Sequence, residues 1–281
     1  MKNIINKLSE ISTNYDAIFC DLWGCLHNGI EPFEEAIFAL ESYTKSGGIV
    51  HLLTNSPRPS SDVYIQLDKI GVPRGIYQGI TASGDASRKA LASGIYGKKI
   101  YHIGPSRDEI FFHNLKQEKF EKETQIDLVP FNNAEGIVCT GLFDDDLETP
   151  SDYTNQLVEA KKRGLKMLCA NPDIQVDRGT HRIYCAGAIA KAYNDMGGIA
   201  DNYGKPHSPI YDLARIRLNN IAGRNIPDTK ILCIGDGIHT DIHGAIMENI
   251  DCLFVTGGLA AEETNTFKQF DLVNRLESIG T

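Results

Sequence analysis

The chain reads as an α/β protein built on a doubly wound parallel sheet, and three observations predict it. Short apolar runs recur along the 281 residues without strict alternation, amphipathic stretches separate them, and glycines stand where those stretches should stop. Continuous β-branched and leucine-rich runs suit strands covered on both faces, and strand–helix–strand order suits right-handed parallel crossovers.

The expected strands are Ala17–Cys20, Ile49–Leu53, Ile100–Ile103, Gly136–Cys139, Leu165–Ala170, Ile231–Ile234 and Cys252–Val255. Each is too short for a buried helix, and most end in Gly, Asn, Asp or Thr. Helices are expected over Pro32–Ser46, Ser60–Gly71, Thr149–Gly164 and Pro209–Ala222, where apolar residues recur three and four apart. Gly47, Gly71, Gly164 and Gly223 fall at the C-cap positions of these segments. The stretch Asn114–Asn133 is rich in Glu and Lys and reads as a solvated helix or loop.

Composition narrows the function. With 42% hydrophobic and 23% charged residues the chain is an ordinary globular one. Its formal charge of −9 disfavours a general nucleic-acid or anionic-membrane binder, because phosphate surfaces attract basic proteins. No apolar run reaches the roughly eighteen residues of a membrane span, and the charged N-terminal segment does not resemble a signal peptide. Seven scattered cysteines without a C-x-x-C pair support neither a zinc knuckle nor a redox pair, and a reducing cytoplasm is the expected compartment.

Ligands of open α/β sheets bind beyond the carboxyl ends of the strands. Four such places carry polar residues: Asp21-Leu22-Trp23-Gly24, Thr54-Asn55-Ser56, Gly204-Lys205-Pro206, and Gly235-Asp236-Gly237-Ile238-His239-Thr240-Asp241. Singly, each more often serves a turn or a helix cap. Together they supply what metal-assisted phosphoryl transfer through a covalent intermediate requires. A strand-terminal carboxylate, Asp21, can act as nucleophile. Asp21 and Asp236 can anchor a hard divalent ion such as Mg²⁺, with Asp241 orienting the shell. Lys205 and Thr54 can hold the phosphoryl oxygens. A dinucleotide fold is disfavoured, since no G-x-G-x-x-G follows the first strand and Gly24 and Gly29 stand five apart.

These four segments, in this order, resemble the motifs of haloacid dehalogenase-type hydrolases, and the Thr-Asn, Gly-Lys-Pro and Gly-Asp-x-x-x-Thr-Asp elements are similar to the subgroup of nucleotide and sugar phosphatases with a class IIA cap. The resemblance runs from about Ala17 to Gly258. It implies a Rossmann-like core formed by residues 1–81 and 202–281, with a second α/β cap domain, 82–201, inserted. It makes Asp21 the nucleophile, Thr54 and Asn55 phosphate contacts, and Lys205 the group that steadies nucleophile and phosphate. Asp236 becomes a metal carboxylate, Asp241 the second acid of that shell, and Trp23 a metal ligand through its backbone carbonyl. Asn171 and Asp173, in Asn171-Pro172-Asp173, fall in the cap loop facing the substrate, with Ala186-Gly187-Ala188-Ile189 at the helix start beside it. The implied partner is a small phosphorylated metabolite, of the sugar phosphate or nucleotide type, and the implied assembly a cap-mediated homodimer.

One position departs from that pattern. Two residues beyond the nucleophile the phosphatases carry an acid–base aspartate, and here stands Trp23, whose indole neither gives nor takes a proton near neutral pH. General acid–base help is worth roughly 10²–10⁴ in rate, so slow turnover is expected. His27, His207, His239 and His243 lie near the motifs as alternative proton sources, without an assigned role. A phosphohydrolase slowed by Trp23 is the leading reading. A catalytically impaired protein that binds or senses a phosphorylated metabolite on the same fold is the other.

Overall fold

The computed structural model describes residues 4–113, 115 and 125–258. In chain order its strands are Ala17–Cys20 (β1), Ile49–Thr54 (β2), Gly79–Ala82 (β3), Lys99–Ile103 (β4), Asp127–Leu128 (β5), Gly136–Cys139 (β6), Lys166–Cys169 (β7), Gln175–Arg178 (β8), His181–Tyr184 (β9), Ile199–Asn202 (β10), Ile231–Gly235 (β11) and Asp251–Phe254 (β12). The helices are Glu34–Lys45 (α1), Ser60–Ile70 (α2), Ser83–Ala92 (α3), Thr154–Lys162 (α4), Ala186–Asp195 (α5), Ser208–Ala222 (α6) and His243–Met247 (α7).

Two parallel sheets result, in the orders β12-β11-β1-β2-β3 and β10-β7-β6-β4-β5, with β8 and β9 forming an antiparallel hairpin. The expected parallel α/β architecture is the observed one. In the first sheet β1 lies between β11 and β2, with Ala17 beside both Ile231 and Ile49. Side chains alternate across the strands, so Ile18 and Cys20 pack under α1 and α2 while Ala17 and Phe19 pack under α6 and α7. The second sheet is covered in the same way. Ile103, Ile137 and Met167 meet α4 and α5, and Ile100, Val138 and Leu168 meet Leu91 of α3 together with Tyr96 and Phe111.

Five strands, the two-residue β5 among them, escape the pattern of apolar runs. β3 is short and carries Gly79 and Thr81, β8 and β9 are charged, and β10 is half polar at a sheet edge. β3 extends to Ala82 and β10 to Asn202, one residue beyond each boundary expected for the inserted unit. The segment expected as a helix from Thr149 begins as a 3₁₀ turn, Pro150–Tyr153, because a proline opens it, and becomes α4 only at Thr154. Gly71 and Gly223 close α2 and α6 in the left-handed conformation expected of them. Of the charged stretch from 114 to 133, Asp127–Leu128 forms β5 and Phe131–Asn133 a 3₁₀ turn, and residues 114 and 116–124 lie outside the described residues. All seven cysteines are free thiols. Among the described residues no helix is long and apolar enough to cross a membrane.

Ile137 is fully buried in the middle of the second sheet, between α4 and α5 on one side and its own strand neighbours. Ile137→Ala should lower the unfolding free energy by about 3 kcal/mol, read as a shift of the urea midpoint at unchanged slope.

Candidate active site

The carboxyl ends of β1, β2 and β11 deliver Asp21, Thr54 and Asp236 to one cleft of about 550 Å³. Trp23, Asn55, Asn171, Asp173 and Asp241 line the same cleft. Lys205 is buried and reaches the group from the loop after β10. The residues to which the sequence assigned a catalytic, metal or phosphate role are therefore in one place, although 184 positions separate Asp21 from Lys205.

The Lys205 ammonium holds this cluster together. Its Nζ donates to Asp21 Oδ1 at 2.6 Å and to Asp241 Oδ1 at 2.7 Å. Its backbone is fixed by a single amide, since Lys205 N–H donates to Asn55 Oδ1 at 2.7 Å and Asn55 Nδ2 donates to the Lys205 carbonyl at 3.1 Å. Asn55 Nδ2 also donates to Asp173 Oδ1 at 2.8 Å, tying the loop after β7 to the end of β2. Asp173 is in turn held by its own N–H to Asn171 Oδ1 at 3.1 Å. The other Asp241 oxygen accepts from Gly237 N–H at 3.1 Å, which fixes its orientation.

Electrostatics follow from burial. Removal from water and the neighbouring Asp241 carboxylate push Asp21 well above the ordinary carboxylate range, against the pull of Lys205. Burial alone would lower Lys205, but Asp21, Asp241 and Asp173 outweigh it and hold the ammonium well above its usual value. Burial likewise pushes the Asp173 carboxyl up to about 6, although Lys205 and Asn55 oppose the shift.

Three carboxylates gathered around one ammonium are the environment a divalent cation satisfies. Ligand atoms of Asp21, Cys25 and Asp236 lie within 4.8 Å of one another, and Cys25 Sγ is 3.9 Å from Asp236 Oδ1. The Cys25 thiol is pushed well up by burial, with the Asp236 carboxylate adding to the effect. It stays protonated and ligates poorly, so the oxygen donors define the site, and they fit a hard ion. Backbone conformation preserves this geometry at Gly24, where φ is +77° and a Cβ would lie 1.9 Å from Asp236 Oδ2.

Trp23 is half-buried at the cleft wall. Its ring lies on the Gly29 backbone, where a Cβ would come within 2.3 Å of Cζ3, and meets His27 edge-on at a centroid distance of 5.3 Å. The indole is thus a packed wall of the cleft. His27 is fully buried, accepts from Gly29 N–H at Nδ1 (3.0 Å), and is lowered to about 4 by burial, so it remains neutral and is no proton donor at pH 7. His207, His239 and His243 are exposed and do not line the cleft.

The sequence reading missed the opposite wall. Arg58 follows β2, Arg107 follows β4 and Arg178 ends β8, and all three line the cleft. The signal was available for Arg107 and for Asp145, which follow the carboxyl ends of β4 and β6. The strand-end rule yields the groups after β1, β2, β10 and β11, and the ends of β4 and β6 are the ones that carry the missed side chains.

Two parallel sheets, a strand-end aspartate paired with a buried lysine, and a second acidic pair after β11 define a hydrolase of the haloacid dehalogenase type. Residues 18–117 match the profile of the haloacid dehalogenase-like hydrolases and residues 202–278 that of a HAD-hydrolase-like family. A haloacid dehalogenase-like hydrolase of Brucella suis 1330 is 39% identical with a TM-score of 0.87, over 95% of this chain and 96% of that one. The chain belongs to this family. A possible sugar phosphatase of Cytophaga hutchinsonii shares the fold at 19% identity (TM-score 0.75, 99% and 94% covered). So does a glycerol phosphate phosphatase of Mycobacterium tuberculosis in complex with magnesium, at 20% identity (TM-score 0.64, 89% and 70% covered). No curated protein matches the chain.

Asp173 yields a pH-dependent prediction. Its folded-state pKa of about 6 lies above the ordinary carboxyl value of 3.8. The stabilisation from its bound proton is complete below pH 3.8 and is lost as pH rises through 6. Asp173→Asn keeps an acceptor for Asn55 and carries no charge. Its stability relative to the parent should rise by about 1–2 kcal/mol between pH 4 and pH 8, measured as paired urea midpoints. A pH-independent difference would show that Asp173 titrates normally.

Proposed function

We propose that the chain is a Mg²⁺-dependent phosphohydrolase of small phosphorylated metabolites that works through an aspartyl-phosphate on Asp21. The observation that carries this reading is the Lys205 ammonium, 2.6 Å from Asp21 and 2.7 Å from Asp241, with Thr54 and Asn55 beside it at the end of β2. Such an ammonium favours the ionised form of the nucleophile against the upward push of its burial, and compensates the phosphoryl oxygens as they approach a carboxylate.

A bound Mg²⁺ would supply Lewis-acid polarisation of the phosphoryl group and neutralise charge. Asp21, Asp236 and the Trp23 backbone carbonyl would hold it, with Asp241 orienting the shell. Asp21 attacks phosphorus with the carboxylate oxygen not committed to Lys205, forming the Asp21–phosphorus bond as the bond to the leaving oxygen breaks. Thr54 and Asn55 steady the phosphoryl oxygens, and water then cleaves the acyl phosphate. The second sheet, residues 82–201, acts as the cap, and Asn171 and Asp173 bring its loop over the phosphoester. The cytoplasm and a cap-mediated homodimer complete the proposal.

Trp23 sets the rate. With the indole in place of an acid–base carboxyl, an alkoxide leaving group departs without a proton, and the acyl phosphate lacks the base that would activate water. Trp23 is also the observation that favours a second reading, a protein that binds a phosphorylated metabolite with little turnover.

Hydrolysis of p-nitrophenyl phosphate, whose phenolate needs no proton to leave, should be detectable with Mg²⁺, abolished by EDTA and lost in Asp21→Asn. Alkyl phosphates should react roughly 10²-fold or more slowly. Folded Trp23→Asp should raise alkyl phosphate turnover at least about tenfold. Parental inactivity on every ester, with micromolar binding of phosphorylated compounds by calorimetry, would establish the second reading instead.

A further inference from the structure

The first sheet contributes Asp21, Asp236 and Asp241 to the cleft, and Arg58 follows its strand β2. The second unit contributes Arg107 and Arg178 together with the carboxylates Asp108, Asp145, Asp173 and Asp177. Arg107 and Arg178 converge on one atom. Both donate to Asp145 Oδ2, Arg107 by a very short bond and Arg178 at 2.7 Å. Asp145 has a side chain only 8% exposed, while the side chains of Arg107 and Arg178 are 47% and 35% exposed. Arg178 also approaches Asp146 at 3.5 Å, a carboxylate 73% exposed at the rim. Arg58, which also lines the cleft, pairs with Asp108, the residue after Arg107, at 3.3 Å.

Here the carboxylate is buried and the guanidiniums are left at the cleft surface, aimed by one shared oxygen. Each guanidinium has five N–H donors, and Asp145 and Asp146 use few of them. An anionic group reaching this part of the cleft meets two pre-positioned forks with donors to spare.

We propose that the substrate carries, besides its phosphoester, a second anionic group, and that Arg107 and Arg178 bind it. This rests on the phosphohydrolase reading above. The substrate class is then a phosphorylated acid or a bisphosphate rather than a neutral sugar or polyol phosphate. The shared chemistry is a planar or tetrahedral oxyanion able to take paired N–H donors.

The test compares matched esters in the presence of Mg²⁺. For the carboxylate arm, 3-phosphoglycerate is set against glycerol 3-phosphate, and for the phosphate arm fructose 1,6-bisphosphate against fructose 6-phosphate. The readout is the ratio of kcat/KM within each pair, which cancels any general loss of activity in a variant. The parent should favour the doubly anionic member of one pair by roughly tenfold or more, chiefly through KM. Arg107→Met and Arg178→Met should each cut that ratio by roughly tenfold. A parent ratio near one in both pairs, or a parental preference that both variants keep, overturns the proposal. Failure of the underlying reading looks different, because p-nitrophenyl phosphate would then not be hydrolysed by the parent at all. In that event calorimetric affinities of the same four compounds, in parent and variants, replace kcat/KM with the same expected ratios and the same overturning result.

Discussion

The ammonium of Lys205 is the constraint on which the site depends. It is buried with two carboxylates, and moving such charges out of water costs several kcal/mol per ion before their attraction is counted. An apolar triad of similar volume would hold these loops at least as firmly. The arrangement instead fixes the Asp21 carboxylate beside a positive charge, with the ends of β1, β2 and β11 and the loop after β10 all committed to its position. Asn55 shows how tightly: one side-chain amide grips both polar backbone atoms of Lys205 and reaches Asp173 in the second unit. Any shift of the strand ends would leave a buried charge with a poor partner, so electrostatics enforces the register that hydrophobic packing alone would leave loose.

What could be read from the sequence follows from how local each signal is. β1, β6 and β11 are buried on both faces, and their unbroken apolar runs announce them. β8 and β9 pair only with each other, with charged side chains such as Asp177 and Arg182 across the hairpin, so no burial pattern marks them. β3 fills an edge with Gly79, where a Cβ would lie 2.6 Å from His51 Nδ1, and Thr81, whose hydroxyl meets His51 Nε2 at 2.8 Å, so tertiary fit replaces apolar content. The acidic side of the cleft was legible because each of its residues ends an apolar strand. On the other side the strand ends point to Arg107 and Asp145, but the convergence of Arg107 and Arg178 on one carboxylate is not readable, because the partners stand 38 and 33 positions from Asp145.

Trp23 illustrates a change that the backbone accommodates with little disturbance. The loop after β1 keeps Gly24 in a left-handed conformation against Asp236, so the ends of the acidic cluster are unaffected by the side chain one residue earlier. The indole finds its room in Gly29, which has no Cβ, and an edge contact in His27. His27 is itself folded into the loop, accepting from Gly29 N–H, and its burial removes it from acid–base chemistry. Tryptophan, histidine and glycine thus form one packed unit. The position two residues beyond Asp21 is here part of the wall.

Both sheets point the carboxyl ends of their strands into the same cleft, and this explains why it is lined so differently on its two sides. Strand ends leave backbone groups and short loops that tolerate polar side chains, so each sheet can furnish one half of a site without disturbing its own core. The first sheet places Asp21, Thr54 and Asp236 there, and the second places Thr140 after β6 and Asn171 and Asp173 after β7. The hairpin β8–β9 reaches across, with Gly179 N–H donating to the Asn28 carbonyl at 3.1 Å in the loop that also carries Trp23. A ligand held between the sheets therefore meets one wall fixed by a buried ion cluster and another fixed by guanidiniums on a shared carboxylate. The rigid half suits bond-making at phosphorus, which tolerates little displacement of the nucleophile. The other half stands on loops and a hairpin of the second unit, where side chains can differ without touching Asp21, Lys205 or Asp241. On the proposed reaction, selectivity and chemistry would then fall to different elements, joined by the hydrogen bond between Asn55 and Asp173.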